Sequence, residues 1–334
     1  MHATVSIETL TGLVAAAFAN CGMAEDDALT MADVVVAAER DGSRSHGIQR
    51  MRGYMDSMKS GWVDARAEPH IQRTATGMLS ADASNGFAQI ALSRAKSDLI
   101  SLAHQHGMAV LTTKNSHHFA ALWPDIEPFA EAGFIALTMV NSRPWMTAWD
   151  GTKKMLGTNP VAFACPRTGG RPVIWDQASS VMSQGDVLLH AAAGRPLPPG
   201  VGIGVDGQPS ADADAVLRDG ALLPFAGSKG SSIAFMVEVL AGAFGGGRFG
   251  FEDRSGSVPG AVTSNTGQFL LVLDPRANDN DFPARIEHLL GEIAARGSKR
   301  IPGDRRYAKR HESERGGIAV PRNLLQELER YAGS

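Results

Sequence analysis

The 334-residue chain, 43% hydrophobic, is long enough to bury one large core or two moderate ones, and about two lobes are expected. Its formal charge of -3 offers no basic face to nucleic acid and no acidic excess for a disordered tail, so a small molecule is the expected partner. Residues Met1 to Thr11 lack a basic stretch followed by an apolar one, and no window nears the ~20 apolar residues that span a bilayer, so a cytoplasmic protein without a membrane segment is expected.

The first sixty residues read as helices. Ser6 is placed to cap a helix carrying Leu10, Leu13, Val14 and Phe18, with Gly22 just past its end. A second helix is predicted from about Asp26 to Glu39. After the polar run 41–47, a third carries Ile48, Met51, Tyr54, Met55 and Met58. From about residue 70 strands and helices alternate. Strands are predicted at Gly77–Asp82, Gly107–Thr113, Gly133–Val140, Pro160–Cys165, Pro172–Asp176 and Gln268–Leu273. Helices are predicted from an Asn85 cap to His106, between the Gly107 and Gly133 strands, from about Ser183, over Lys229 to Phe244, over Phe282–Ala295 and over Pro321–Tyr331. The Pro- and Gly-rich stretch Gly194–Pro209 reads as a loop. This alternation implies an α/β sheet covered on both faces.

A literal G-x-G-x-x-G lies at Gly202, Gly204 and Gly207. A dinucleotide fingerprint needs a strand before it and a helix after it, and here Pro196 to Pro199 precede and Pro209 follows, so it reads as a turn. Cys21 and Cys165 fall outside any metal or CxxC spacing and read as free thiols; no metal is expected. His104 and His106 end a helix and read as surface or capping groups. His117 and His118 follow a buried strand, where open sheets bind ligands, and a helix starting near Phe119 would aim free N–H groups at an anion.

Ser45-His46-Gly47 is the most chemical of the polar turns, flanked by Arg44 and Arg50. A histidine moves protons near neutral pH and a neighbouring hydroxyl fixes its tautomer; the bland reading is a capping serine beside a surface histidine. Gly227 to Ser232 lacks P-loop spacing, yet its backbone donors and Lys229 suit phosphate. The basic turn Arg300–Arg306 reads equally as a phosphate contact or a solvated charge run.

Taken together, SHG at 45–47, NSHHFAAL at 115–122, GTNP at 157–160, WDQASS at 175–180, ALLPFAGSKGSSIAFMVEVLAG at 221–242 and RIPGDRR at 300–306 resemble the malate/L-lactate dehydrogenase-like oxidoreductases across nearly the whole chain. SHHFAALWPDIEPFA, the GSKGSS loop and Gly185-Asp186 are similar to the family's Δ1-piperideine-2-carboxylate/Δ1-pyrroline-2-carboxylate reductases. The resemblance implies an α/β, non-Rossmann NAD(P)-binding fold with a helical N-terminal segment, a homodimer, and reduction of a cyclic imine acid to L-proline or L-pipecolate. It divides the chain into a nucleotide-binding lobe, 70–265, and a lobe of the terminal segments, 1–69 with 266–334. The alternative is a 2-hydroxy-acid dehydrogenase of malate, lactate or ureidoglycolate type, whose members tend to carry lysine where Asp186 stands.

Carried over by position, the resemblance makes His46 the proton donor with Ser45 and Asp186 as relay partners. It assigns substrate to Arg50, Thr158, Gln184 and Gly185. It assigns cofactor to His118, Phe119, Ala120, Ala121 and Leu122, to Asp176, Gln177 and Ala178, to Ser228 and Lys229, and to Arg300, Pro302, Gly303, Asp304, Arg305 and Arg306. Asp186 beside His46 is expected to favour the imidazolium near neutral pH. Lys229 and Arg305 or Arg306 lean toward NADPH, with NADH the alternative. Gln177, Gln184 and the bulky Trp145, Met146 and Trp149 depart from the family pattern and bear on cofactor contact and pocket size.

Overall fold

The computed structural model describes residues 2–278 and 281–333. Strand β1 (His2–Val5) leads into α1 (Ile7–Ala19), whose first turn is capped as expected: the Ser6 hydroxyl accepts the Thr9 N–H at 3.0 Å. Leu10, Val14, Ala17 and Phe18 share one buried face, and Gly22, at φ +94°, reverses the chain. Helix α2 (Glu25–Arg40) opens on three acidic residues, which suit the positive end of a helix. Two tight 3-10 turns, Arg44–His46 and Ile48–Arg50, then precede α3 (Met51–Lys59).

The chain continues through β2 (His70–Ala75), β3 (Met78–Asp82), α4 (Ala88–His106), β4 (Met108–His117), α5 (Trp123–Glu131), β5 (Ile135–Val140), β6 (Val161–Cys165) and β7 (Val173–Gln177). A small module follows, with α6 (Gln184–Ala192), β8 (Gly202–Ile203), α7 (Ala213–Arg218) and β9 (Ala221–Leu222). Helix α8 (Ser228–Val237) widens into a π-helical turn, Glu238–Phe244, before β10 (Asn265–Leu273), α9 (Phe282–Ala295), α10 (Asp304–Gly316), β11 (Ile318–Pro321) and α11 (Arg322–Ala332).

Seven strands form one sheet in the order β2-β3-β4-β10-β5-β6-β7, parallel only between β3 and β4. Residue alternation builds both of its faces. Leu270 and Val272 of β10 join the core beneath α4 and α5, whereas Phe269 faces Met139, Val237 and Ala241 under α8 and its π turn. The sheet is thus covered on both sides, as expected. At the chain ends β1 pairs with β11, and α11 joins the N-terminal helices around Phe18 and Tyr54. Edge-to-face contacts of Tyr54 with Phe18, Phe87 and Phe119, at 5.3–5.4 Å, carry this helical core up to the sheet. Among the described residues no helix is long and apolar enough to cross a membrane.

Several expectations are corrected. Asn85 does not cap α4. It sits at φ +66° with its amide nitrogen on the Trp62 carbonyl and its oxygen on Asn265, and the helix starts at Ala88. The helix expected near Phe119 starts at Trp123, because residues 118–122 form a loop between β4 and α5. The predicted Lys229–Phe244 helix is α-helical only to Val237. Strand β10 runs between β4 and β5, so it belongs to the sheet and not to the terminal lobe, where the 265/266 boundary put it. The G-x-G-x-x-G is a turn: Gly204 donates to the Gln208 carbonyl, and the next helix, α7, starts only at Ala213, beyond Pro209.

Candidate active site

The His46 corner is built by close packing. Gly47 lies so near Glu39 that a Cβ there would meet its carboxylate, and Glu39 Oε2 accepts the Ile48 N–H at 3.1 Å. Burial raises the Glu39 carboxyl above the usual range. These contacts fold the two 3-10 turns so that Ser45, His46 and Arg50 share one edge. The Ser45 hydroxyl and His46 Nδ1 are 3.1 Å apart, and Arg50 Nε donates to the Ser45 carbonyl at 2.7 Å. Arg50 lies 4.2 Å over the Phe119 ring. Ser183 caps α6 by accepting the Asp186 N–H, and Gly185 comes so close that a Cβ would stand 2.7 Å from an Arg50 nitrogen.

The His46 ring is walled in by protein but still meets cavity space. Burial, followed by the charges of Arg50 and His118, pushes its pKa down to about 3. The imidazolium expected from Asp186 is therefore corrected: among the described residues Asp186 makes no hydrogen bond to His46, and its charge is felt by Arg50 instead. Burial brings the Arg50 pKa down to about 10, with Tyr54 and Asp186 opposing the fall and Arg143 adding to it.

His46 stands at the junction of two cavities. The smaller, about 350 Å³, is lined by Arg50, His118, Phe119, Ala120, Thr158, Gln184 and Gly185, together with Ser142, Arg143, Trp145, Leu188 and Leu217. Ser142, Arg143, Leu188 and Leu217 were not singled out from sequence. The signal for Arg143 was its place just past the buried strand ending at Val140. Its guanidinium lies 4.5 Å over Trp145 and reaches Ser255 at 3.2 Å, and burial lowers its pKa. The Ser142 hydroxyl is buried without a hydrogen-bond partner among the described residues.

The larger cavity, about 960 Å³, shares His46 and Thr158 with the first and adds Ser45, Ala121, Asp176, Gln177, Ala178 and Asp186. Through Asp176 and Arg306 it passes into a third, of about 720 Å³, lined by Arg300, Pro302, Gly303 and Arg305. One continuous cleft thus runs from Arg50 to the basic turn. Arg306 lies 4.6 Å over Trp123, and its Nε and Nη1 are buried without a hydrogen-bond partner among the described residues.

Several predicted residues also make contacts within the protein, and others lie outside the three cavities. Leu122 and Trp123 give their N–H groups to Asp176 Oδ2 at 2.8 and 3.2 Å, so the anion at the start of α5 is the protein's own carboxylate. Burial raises the Asp176 carboxyl against those bonds. The Asp304 side chain accepts the Ile301 N–H at 2.8 Å and shapes the basic turn without lining the cleft. Ser228 and Lys229 are exposed and line none of the three cavities, although Phe225 of the same loop does. His118 is fixed by Asp125 at 2.8 Å, while His117 is enclosed between Asn85 and Thr263.

The chain belongs to the malate/L-lactate dehydrogenase family of oxidoreductases, whose sequence profile matches residues 5–329. The chain is 45% identical over 331 residues to the Δ1-pyrroline-2-carboxylate/Δ1-piperideine-2-carboxylate reductase of Pseudomonas syringae pv. tomato, covering 99% of this chain and 96% of that one. It is 44% identical over 330 residues to the reductase of the same name from Pseudomonas putida, covering 98% and 97%. The crystal structure of Δ1-piperideine-2-carboxylate reductase from Pseudomonas syringae pv. tomato superposes with a TM-score of 0.96 at 44% identity, over 98% of this chain and 99% of that one.

Proposed function

We propose that this chain is an NAD(P)H-dependent reductase of cyclic imine carboxylates, converting Δ1-pyrroline-2-carboxylate, Δ1-piperideine-2-carboxylate or both to L-proline and L-pipecolate. The observation that carries this reading is the position of His46, where a small cavity holding Arg50 and Arg143 opens into a cleft ending at Arg306. The likeness to reductases of that name over almost the full chain supports it.

The cleft fits a dinucleotide. Arg306 offers two unpartnered guanidinium nitrogens beside Arg300 and Arg305, groups suited to phosphate, and these favour NADPH over NADH. Gln177 and Ala178 line the wall between the basic turn and His46. When bound, the reduced nicotinamide supplies the electron pair and hydrogen that C2 of the imine receives.

The protein's own groups do the rest. Arg50, with Arg143 and Thr158, holds the substrate carboxylate, a group that a planar guanidinium binds through two parallel bonds. Pairing Arg50 with that carboxylate removes one of the charges that depress His46, so substrate binding raises the histidine's affinity for a proton. His46 then donates to the ring nitrogen from Nε2 while Nδ1 stays on Ser45. Asp186 supports the Arg50 charge. Gln184 and Gly185 form the wall beside it.

The same reading includes a cytoplasmic homodimer with two lobes, the sheet lobe carrying the cofactor. Phe235, Met236, Val239 and Phe244, exposed on α8 and its π turn, offer a second copy an apolar face.

The test is loss of NADPH or NADH absorbance with purified protein and either cyclic imine, pyruvate or oxaloacetate. Oxidation with the imines supports the reductase; activity with the open keto acids alone replaces it with a hydroxy-acid dehydrogenase.

A further inference from the structure

We infer that Glu238 is a positioning residue that holds two walls of the small cavity in register, an inference that rests on the reductase reading above. Its side chain is buried at the first position of the π-helical turn, 6% exposed, and no basic side chain pairs with it among the described residues. Three N–H donors meet its carboxylate. Oε2 accepts from Asn141 Nδ2 at 2.8 Å and from the Gly250 N–H at 3.1 Å, while Oε1 accepts from Asn159 Nδ2 at 3.0 Å.

The two asparagines root adjoining walls, at the ends of the paired strands β5 and β6. Asn141 ends the β5 side and is followed by Ser142, Arg143 and Trp145; Asn159 follows Thr158 and precedes β6. Neither amide can turn over. Asn141 Oδ1 already accepts the Gly267 N–H at 2.9 Å, and Asn159 Oδ1 accepts the Ser142 N–H at 3.1 Å. Each NH2 therefore gives one N–H to a backbone carbonyl, of Arg248 or Ala234, and turns the other to residue 238, which favours a side chain there that accepts at both oxygens. Asn159 also sits at φ +34°, a left-handed conformation that the surrounding bonds must hold. One carboxylate thus braces, from behind, the direct Asn159–Ser142 bond between the Arg143 loop and the Thr158 turn, and a π-helical turn, a feature that recurs at functional sites, carries it there.

Glu238→Gln tests this. The new amide nitrogen must confront one asparagine NH2, parting the two walls. The expected result is a rise of at least about tenfold in KM for the imine, with the NADPH Kd, read by fluorescence, kept within about twofold. A role in folding alone would lower the active fraction and kcat while leaving KM in place. Should this variant fail to fold, Asn141→Ser, which releases one wall and keeps the charge, is expected to show the same split. A folded variant with wild-type imine KM, or one that loses NADPH affinity equally, overturns the inference. Whichever imino or keto acid the wild type reduces serves as substrate. A wild type active only on keto acids therefore removes the imine reading and leaves this inference testable, and one silent with all of them overturns both.

Discussion

Arg50 donates from Nε to the carbonyl oxygen of Ser45 at 2.7 Å, which ties the cation of the small cavity to the residue whose hydroxyl meets His46. In the proposed reading carboxylate binding and proton delivery are therefore set by one short segment, 45–50, braced from behind by Glu39 and in front by Gly185.

Arg50→Lys keeps a charge but loses the planar fork and the bond to Ser45. Hydrogen bonds to charged groups contribute about 1.5–3 kcal/mol, so KM for the imine should rise roughly 10- to 150-fold. The cofactor Kd should stay near wild type, since Arg50 lines only the smaller cavity. Steady-state kinetics with a parallel NADPH titration separates the two; equal losses in both would contradict the assignment of Arg50 to substrate.

His46→Ala removes the proposed acid. General acids contribute typically ~10²–10⁴-fold, so kcat should fall by at least ~100-fold while NADPH still binds. Ser45→Ala, which removes the partner of Nδ1, should cost less than removal of the ring. Turnover near wild type in His46→Ala would take the acid role away from this residue.

His117 supplies a pH signature of the fold. Burial pushes its pKa down to about 3, whereas an unfolded histidine titrates near 6.5. Below about pH 6.5 the unfolded chain holds the extra proton, so stability falls as pH drops toward 3, by up to about 1.4 kcal/mol per unit for this group. Urea unfolding between about pH 7 and 5 should show a shallower decline for His117→Gln than for wild type, with the sign reversed if the histidine is charged in the folded state.

The segments that organise the site differ in how far the sequence announces them. Helices α1 and α9 and strands β5 and β6 were legible because apolar residues recur at their periods and flanking residues punctuate them. Helix α10 was not: it is almost wholly polar and owes its place to Arg310, which reaches Asp41 at 2.6 Å and Glu127 at 2.8 Å, partners 269 and 183 residues away. Strands β1 and β11 are too short to show alternation, and they form by pairing the two ends of the chain. Ser45, His46 and Arg50 stood out as a polar segment between helices, but only the family resemblance lifted them above a capped surface turn. Arg143 gave little local sign beyond its place after a buried strand: Trp145 beneath its guanidinium is local, but its hydrogen-bond partner Ser255 comes from another part of the chain.

Asp176 illustrates the same nonlocality and gives a further prediction. Its carboxylate caps α5 from the end of β7, across 53 and 54 residues, a service usually given by the residue just before a helix. Asp176→Ala should destabilise the fold by about 0.5–2 kcal/mol, the range for loss of a cap. It should also weaken cofactor binding, because the freed segment 121–123 lines the cleft. Asp176→Asn keeps an acceptor and should restore most of the stability; chemical unfolding of both variants measures the difference.

Arg306 decides cofactor choice in the proposed reading. Among the described residues its Nε and Nη1 lack protein partners, its guanidinium rests on Trp123, and burial lowers its pKa against the charges of Asp176, Asp41 and Glu127, so the cation is desolvated with two of its donors unmet. An anion brought to it satisfies those donors and gains from the partial burial. Arg306→Ala should therefore raise the NADPH Kd by roughly 10- to 100-fold, the range of one or two charge-assisted bonds, and the NADH Kd by much less. The NADPH affinity of wild type should also fall with added salt more steeply than that of the variant, because screening acts on the charge the variant lacks. Fluorescence titrations of both cofactors at two ionic strengths measure this. Equal losses for NADPH and NADH would place Arg306 on the phosphates the two cofactors share, and the preference for NADPH would then have to come from Arg300 or Arg305 along the same wall.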